Sequence, residues 1–106
     1  MDQNYLHDLV LQGDDLQGIR KVNHWIYFKS VKKRNLFGKK VKELEFSLDS
    51  IAYRRERSFP YELTISRQDS IDPVSIYRIT SMLRILSNAT IGQYDGWSTE
   101  IKTPDN

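Results

Sequence analysis

Apolar residues recur along this chain with two periods, and each change of period marks a new element. Between residues 19 and 29 the period is two. Val22, Ile26 and Phe28 alternate with Asn23, Trp25 and Tyr27, and His24 falls in register with Val22 and Ile26. β-Branched and aromatic residues at this spacing predict a strand. Large side chains stand on both of its faces, so it is either covered on both sides or displays aromatics for binding. The alternation returns in 50–57, where Ile51 and Tyr53 alternate with Ala52 and Arg54. It returns again in 60–68, where Tyr61, Leu63 and Ile65 alternate with Glu62, Thr64 and Ser66. These segments predict a hairpin, with Pro60 at the turn or first strand position because it has no amide hydrogen for a ladder. Residues 91–101 predict a last strand, and Gly96 within it predicts a bulge or a close backbone approach.

Between the strands the period lengthens to that of a helix. Phe37, Val41, Leu44 and Leu48 recur at spacings of four, three and four, which predicts a helix over 31–48. Lys32, Lys33, Lys39, Lys40 and Lys42 fall largely on its other faces. Gly38 lowers its stability by ~1 kcal/mol relative to alanine, and Phe46 lies off the stripe. Ile76, Ile79, Leu83 and Leu86 predict a helix over 72–89. Asp72 caps it, Pro73 suits its first position, and Ile71 and Ile76 occupy the two places of a hydrophobic staple. Tyr5, Leu6, Leu9 and Val10 predict a short N-terminal helix, ended by the turn formers Gly13, Asp14, Asp15 and Gly18. The order β-α-β-β-α-β predicts an α+β, ferredoxin-like sandwich: a four-stranded antiparallel sheet with two helices on one face. The opposite face is open unless the N-terminal helix or a partner covers it. The chain thus divides into a helix and loop (1–18), the ferredoxin-like domain (19–101) and a tail (102–106), of which residues 103–106 are expected to fray.

Length and composition narrow the function. With 106 residues the chain fits one domain that buries its own core. It has no cysteine, which excludes disulfide scaffolds, thiolate nucleophiles, cysteine zinc sites and iron–sulfur clusters. The first residues carry neither a basic nor a long apolar stretch, and no apolar run approaches the ~20 residues of a membrane span. A cytoplasmic protein is expected. The net charge is only +2, but residues 19–57 hold twelve Lys/Arg against four Asp/Glu, and the remainder is acidic. Such asymmetry marks either a footprint for an acidic partner or a solvated helix face beside a basic hairpin.

The inventory of reactive groups is thin. The two histidines, His7 and His24, have no metal-binding spacing, and no nucleophile elbow or phosphate loop occurs. His24 on an apolar strand face reads as a hydrogen-bonded core residue. Asp14-Asp15 reads as a turn or cap, since neighbouring side chains diverge. No catalytic site, metal or cofactor is expected. Binding offers two surfaces. Trp25, Tyr27 and Tyr53, with Arg54 or Arg55, are the residue types that stack and neutralise single-stranded RNA on an open sheet. The usual RNA-recognition strand pattern is missing. Tyr94, Asp95 and Trp97 form the other group. The two aromatics anchor a sheet or an interface, Asp95 fixes a bulge through nearby amides, and Gly96 permits the backbone geometry.

That group also carries a resemblance. Gly92-Gln93-Tyr94-Asp95-Gly96-Trp97 after a long helix resembles the ribonuclease E activity regulator B family, whose members often close the fold with a Tyr-Asp-Gly-Trp strand. Val22-Asn23-His24 resembles the family's opening strand, and Gly13-Asp14-Asp15 its acidic turn. The resemblance runs over roughly residues 9 to 101, with its specificity in Tyr94 to Trp97. It implies a ferredoxin-like, non-enzymatic regulator that binds a protein, an RNA-degrading endonuclease in the best-studied branch. That branch is strongly acidic, whereas this chain is slightly basic. The resemblance makes another protein the expected partner, with a ribonuclease as first candidate, and the basic segment makes RNA the alternative. The expected contact residues are Tyr94, Asp95, Trp97, His24, Trp25, Tyr27, Arg54 and Arg55. A homodimer through the open face is a further expectation, and Trp97 is expected to be buried.

Overall fold

A computed structural model describes residues 3–103. It has the expected α+β composition: three helices and an open, four-stranded antiparallel sheet. The elements are α1 (Gln3–Leu11), β1 (Ile19–Phe28), α2 (Val31–Glu43), β2 (Ser47–Tyr53), β3 (Tyr61–Ser70), α3 (Pro73–Ala89) and β4 (Gly92–Thr99). The strand order is β2-β3-β1-β4. The expected fraying of 103–106 lies almost wholly outside the described residues.

β1 lies inside the sheet, paired with β3 on one side and β4 on the other. Its even positions face the helices. Ile26 and Phe28 join Phe37 and Val41 of α2, Leu63 and Ile65 of β3, Leu83 of α3 and Tyr94 of β4 in the main core. The helix-period and strand-period stripes of the sequence therefore meet in one cluster. A second cluster forms at one end of the same layer, where α1 lays Leu9 against Val22, Ile71, Ile76 and Trp97. The N-terminal helix thus joins the helical side of the sheet and leaves the opposite face uncovered.

α2 is shorter than its hydrophobic stripe predicted. The helix stops at Glu43, and Leu48, expected on its buried face, belongs to the edge strand β2 and is exposed. The stop is a Schellman turn. Glu45 takes a left-handed conformation (φ 70°). Its amide bonds the Lys42 carbonyl at 3.1 Å, and the Phe46 amide reaches back to Val41, also at 3.1 Å. Glycine is the usual residue at such a stop, and a glutamate there hides it from the sequence. The reversal carries Phe46 into the core, 3% exposed. The residue that fitted no helical stripe is the hydrophobic clasp of the helix end. β2 starts earlier than expected for the same reason. It ends earlier too, at Tyr53, and β4 ends at Thr99, short of the expected Ile101.

α3 begins as its sequence indicated. Asp72 accepts hydrogen bonds from the Ser75 amide (3.0 Å) and hydroxyl (2.7 Å), and Ile71 and Ile76 share the second cluster. At its far end Thr90 is the cap, and Ile91 follows at φ 52°.

The turn before β1 contains a buried ion pair. Asp14 accepts from both terminal nitrogens of Arg20, at 2.6 and 3.2 Å, and from the amides of Leu16 and Lys102 at 2.8 and 2.9 Å. Burial opposes the charge on its carboxyl, but the bonds from Arg20, Lys102 and Leu16 prevail and hold it below its ordinary value. The paired aspartates therefore build a turn, as expected. Beside this clasp the Tyr5 hydroxyl bridges the backbone N–H and C=O of Thr99, each at 3.0 Å.

Candidate functional site: the open sheet face

The odd positions of β1 point away from the helices. Trp25 stands between Thr64 of β3 and Gly96 of β4, and Tyr27 between Glu62 and Gln93. Small neighbours on both sides leave the half-buried indole of Trp25 with little to shield it. The rest of this face is polar: Asn23 pairs with Ser66 and Ser98, and Lys21 with Gln68. One tryptophan stands among hydroxyl and amide groups on this face. An aromatic side chain with polar groups around it is a combination that protein interfaces use.

Tyr27 is fastened down, at 7% exposed. Its hydroxyl donates to Glu62 at 2.6 Å, and the Arg57 guanidinium lies 3.5 Å from its ring centroid. Burial, then the bond to Glu62, pushes its phenol up to about 12. Burial also opposes ionisation of Glu62, but the Arg54 and Tyr27 bonds outweigh it and lower its carboxyl. Arg54 meets Glu62 at 3.2 and 3.3 Å, and Arg57 reaches Asp95 at 3.7 Å. The loop between β2 and β3 is thereby folded over one end of the face and locked by charge.

The Tyr94-to-Trp97 run is split by a bulge. Trp25 pairs with Gly96 but Ile26 pairs with Tyr94, so Asp95 is the extra residue. Strict alternation would send Tyr94 and Trp97 to opposite faces, since their spacing is three. The extra residue brings both to the helical side, at 8% and 3% exposed, and leaves Asp95 outside. Gly96, at φ 153°, turns the chain there. Tyr94 lies against His24, with its hydroxyl 2.8 Å from Nδ1. His24 is fully buried, and its Nε2 has no partner among the described residues. Desolvation, helped by the charge of Arg67, lowers its pKa to about 3. The imidazole is a neutral part of the core.

The eight expected contact residues therefore separate. Trp25, Tyr27, Arg54 and Asp95 gather on the open face. His24, Tyr94 and Trp97 support that face from below, and Arg55 is exposed in the adjoining loop. Two residues escaped the sequence reading, Arg57 and Glu62. The signal for Glu62 is its position opposite Tyr27 on a polar strand face, where a buried carboxylate needs a donor. Arg57 sits in an irregular loop, beyond the reach of any period. The basic segment 19–57 is also divided. Phe37, Gly38 and Val41 turn α2 inward, so its lysines stand on the helical side, away from Trp25 and Tyr27. Among the described residues no three His, Asp or Glu side chains gather as a metal site, and no helix is long and apolar enough to cross a membrane.

A family model described as Regulator of ribonuclease activity B matches residues 1–99. No curated protein matches the chain.

Proposed function

Since the chain belongs to the regulator of ribonuclease activity B family, we propose that it acts as a non-catalytic, cytoplasmic regulator that docks on a ribonuclease through its open sheet face. The endonuclease ribonuclease E is the first candidate. The observation that carries this reading is the uncovered face with Trp25 at its middle, flanked by Thr64 and Gly96. The charged loop of Arg54, Arg55 and Arg57 with Asp95 supplies the rim. His24, Tyr94 and Trp97 hold β4 in place beneath it. The scaffold is read as ferredoxin-like, because β1 and β3 occupy the middle of the sheet and each helical crossover skips one strand. The non-catalytic reading rests on the family, whose model is described as a regulator of ribonuclease activity.

The test is cleavage of a labelled RNA by purified ribonuclease E at rising concentrations of this protein. Wild type is expected to slow cleavage, and Trp25→Ala to need about tenfold more protein for the same effect, as for a central interface aromatic. Equal restraint by both proteins would remove the open face from the mechanism. Restraint that disappears with excess RNA but persists with excess enzyme would assign the effect to RNA binding. Self-association through this face would show as a Trp25-dependent dimer on sedimentation.

A further inference from the structure

We propose that the outer edge of β2, with the groove between β2 and α2, is a docking strand for an extended, acidic segment of a partner protein anchored by aliphatic side chains. This surface is on the helical side and edge of the sheet, separate from the open face.

Three observations carry it. First, β2 ends the sheet, so the outer row of its backbone donors and acceptors has no neighbouring strand among the described residues. Proteins usually blunt such an edge with charge, proline or a bulge. β2 has a register break at Asp49, but the stretch from Ser50 to Tyr53 pairs regularly with β3 and contains neither proline nor charge. Second, its apolar side chains are left bare. Leu48 is 43% and Ile51 61% exposed. With Gly38 and Leu63 they floor a groove of about 540 Å³. Third, the rim is cationic. Arg34, Lys39 and Lys42 line the groove, and Asp49 is its lone carboxylate. None of these three cations forms an ion pair with a carboxylate among the described residues.

The charge pattern of α2 points the same way. Lys32, Lys33 and Arg34 fill its first turn, which has no acidic residue. Cations there oppose the positive end of the helix dipole, so helix stability does not account for them. An acidic ligand would account for Arg34, the one of the three that lines the groove. Strand addition supplies main-chain hydrogen bonds, and pockets for alternate side chains supply selectivity. Here one face of the added strand would set aliphatic groups over Leu48 and Ile51, with carboxylates toward Lys39 and Lys42. A peptide fits better than RNA, because none of the residues lining the groove is aromatic and no base has a stacking surface there.

The probes are a synthetic peptide of β2's length in which leucine and glutamate take turns at every second position with serine between them, so that both fall on one face, its counterpart with lysine in place of glutamate, and a labelled single-stranded RNA. Fluorescence anisotropy with the full chain is expected to show binding of the acidic peptide, weakening with salt, and little binding of the basic one. Amide exchange of residues 50–53 should slow when the peptide is bound. Lys39→Glu with Lys42→Glu should weaken binding about tenfold or more and reverse the peptide preference. Both sites are exposed, so folding should survive. Ile51→Asp should abolish the protection, and Trp25→Ala should leave it intact. Equal affinity for both peptides, protection elsewhere than β2, or RNA binding lost in the double variant while the acidic peptide never binds would each overturn the proposal. None of these outcomes bears on ribonuclease restraint through Trp25.

Discussion

At the scale of single residues, three buried groups decide how the protein responds to change. Trp97 is 3% exposed and meets Tyr5 edge-on, with ring centroids 4.6 Å apart. Trp97→Ala is expected to cost about 3–5 kcal/mol, seen as a large fall in the urea midpoint. Trp25→Ala, on the half-buried indole of the open face, should cost clearly less. Asp14 is the second. Its removal leaves the Arg20 guanidinium buried without its carboxylate, and Asp14→Ala should cost about 3–5 kcal/mol for that reason. His24 sets a pH dependence. Its folded pKa of about 3 lies below the ordinary 6.5. Between those values the unfolded chain binds a proton that the folded one does not, so stability rises with pH in that window. The His24 contribution is complete above 6.5 and is lost as the pH falls toward about 3. Asp14, also lowered, adds a loss that begins only below its ordinary 3.8. Urea midpoints of wild type and His24→Gln against pH should converge on acidification, whereas those of wild type and Asp14→Asn should stay parallel until the more acidic window is reached.

At the scale of elements, the ends of helices determine where sequence reasoning succeeded. α3 was legible because every boundary signal at its start is local: an acceptor at Asp72, a proline at the first position, and apolar residues on either side of the cap. α2 was legible at its start, where Ser30 accepts from the Lys33 amide at 3.2 Å, and illegible at its end. A left-handed glutamate carries no sequence signature, and Leu44 and Leu48 continued the helical spacing by coincidence. The bulge was half legible. Gly96 announced an irregularity, but which of Tyr94, Asp95 and Trp97 changed face depends on the register with β1. Both helix stops place a side chain where glycine would be unstrained, Glu45 at φ 70° and Ile91 at φ 52°. A β-branched residue in that region is an outlier, and left-handed backbone disfavours L residues by roughly 1–2 kcal/mol. Ile91→Gly, at a site 56% exposed, should therefore raise thermal stability by about 1 kcal/mol after the larger unfolded-state entropy of glycine is counted. Gly92→Ala should do the reverse. Its added carbon would lie 2.5 Å from the Phe28 ring, and overpacking of that kind costs about 1–3 kcal/mol. Thermal melts of the two variants should move in opposite directions.

At the scale of the whole molecule, the sheet separates two surfaces with different chemistry. One is polar and centred on an indole. The other is an aliphatic groove under a cationic helix. The sequence expressed both as one basic, aromatic segment, because neither face nor edge is a property of composition. The strand order has a further consequence, for synthesis. β1 is made early, yet both of its neighbours come later, β3 from Tyr61 and β4 from Gly92. The Tyr5 clasp on Thr99 joins groups 94 positions apart. While the ribosome is still translating α3, a nascent chain therefore carries Val22, Ile26 and Phe28 on a strand with an unfilled edge. Contacts of such long separation form late, after the loop entropy between them has been overcome. On an arrested chain carried by a linker long enough to bring Thr99 out of the exit tunnel, folding should appear as a single late event, read as the pulling force that relieves the arrest. Chains stalled before that point should depend on chaperones.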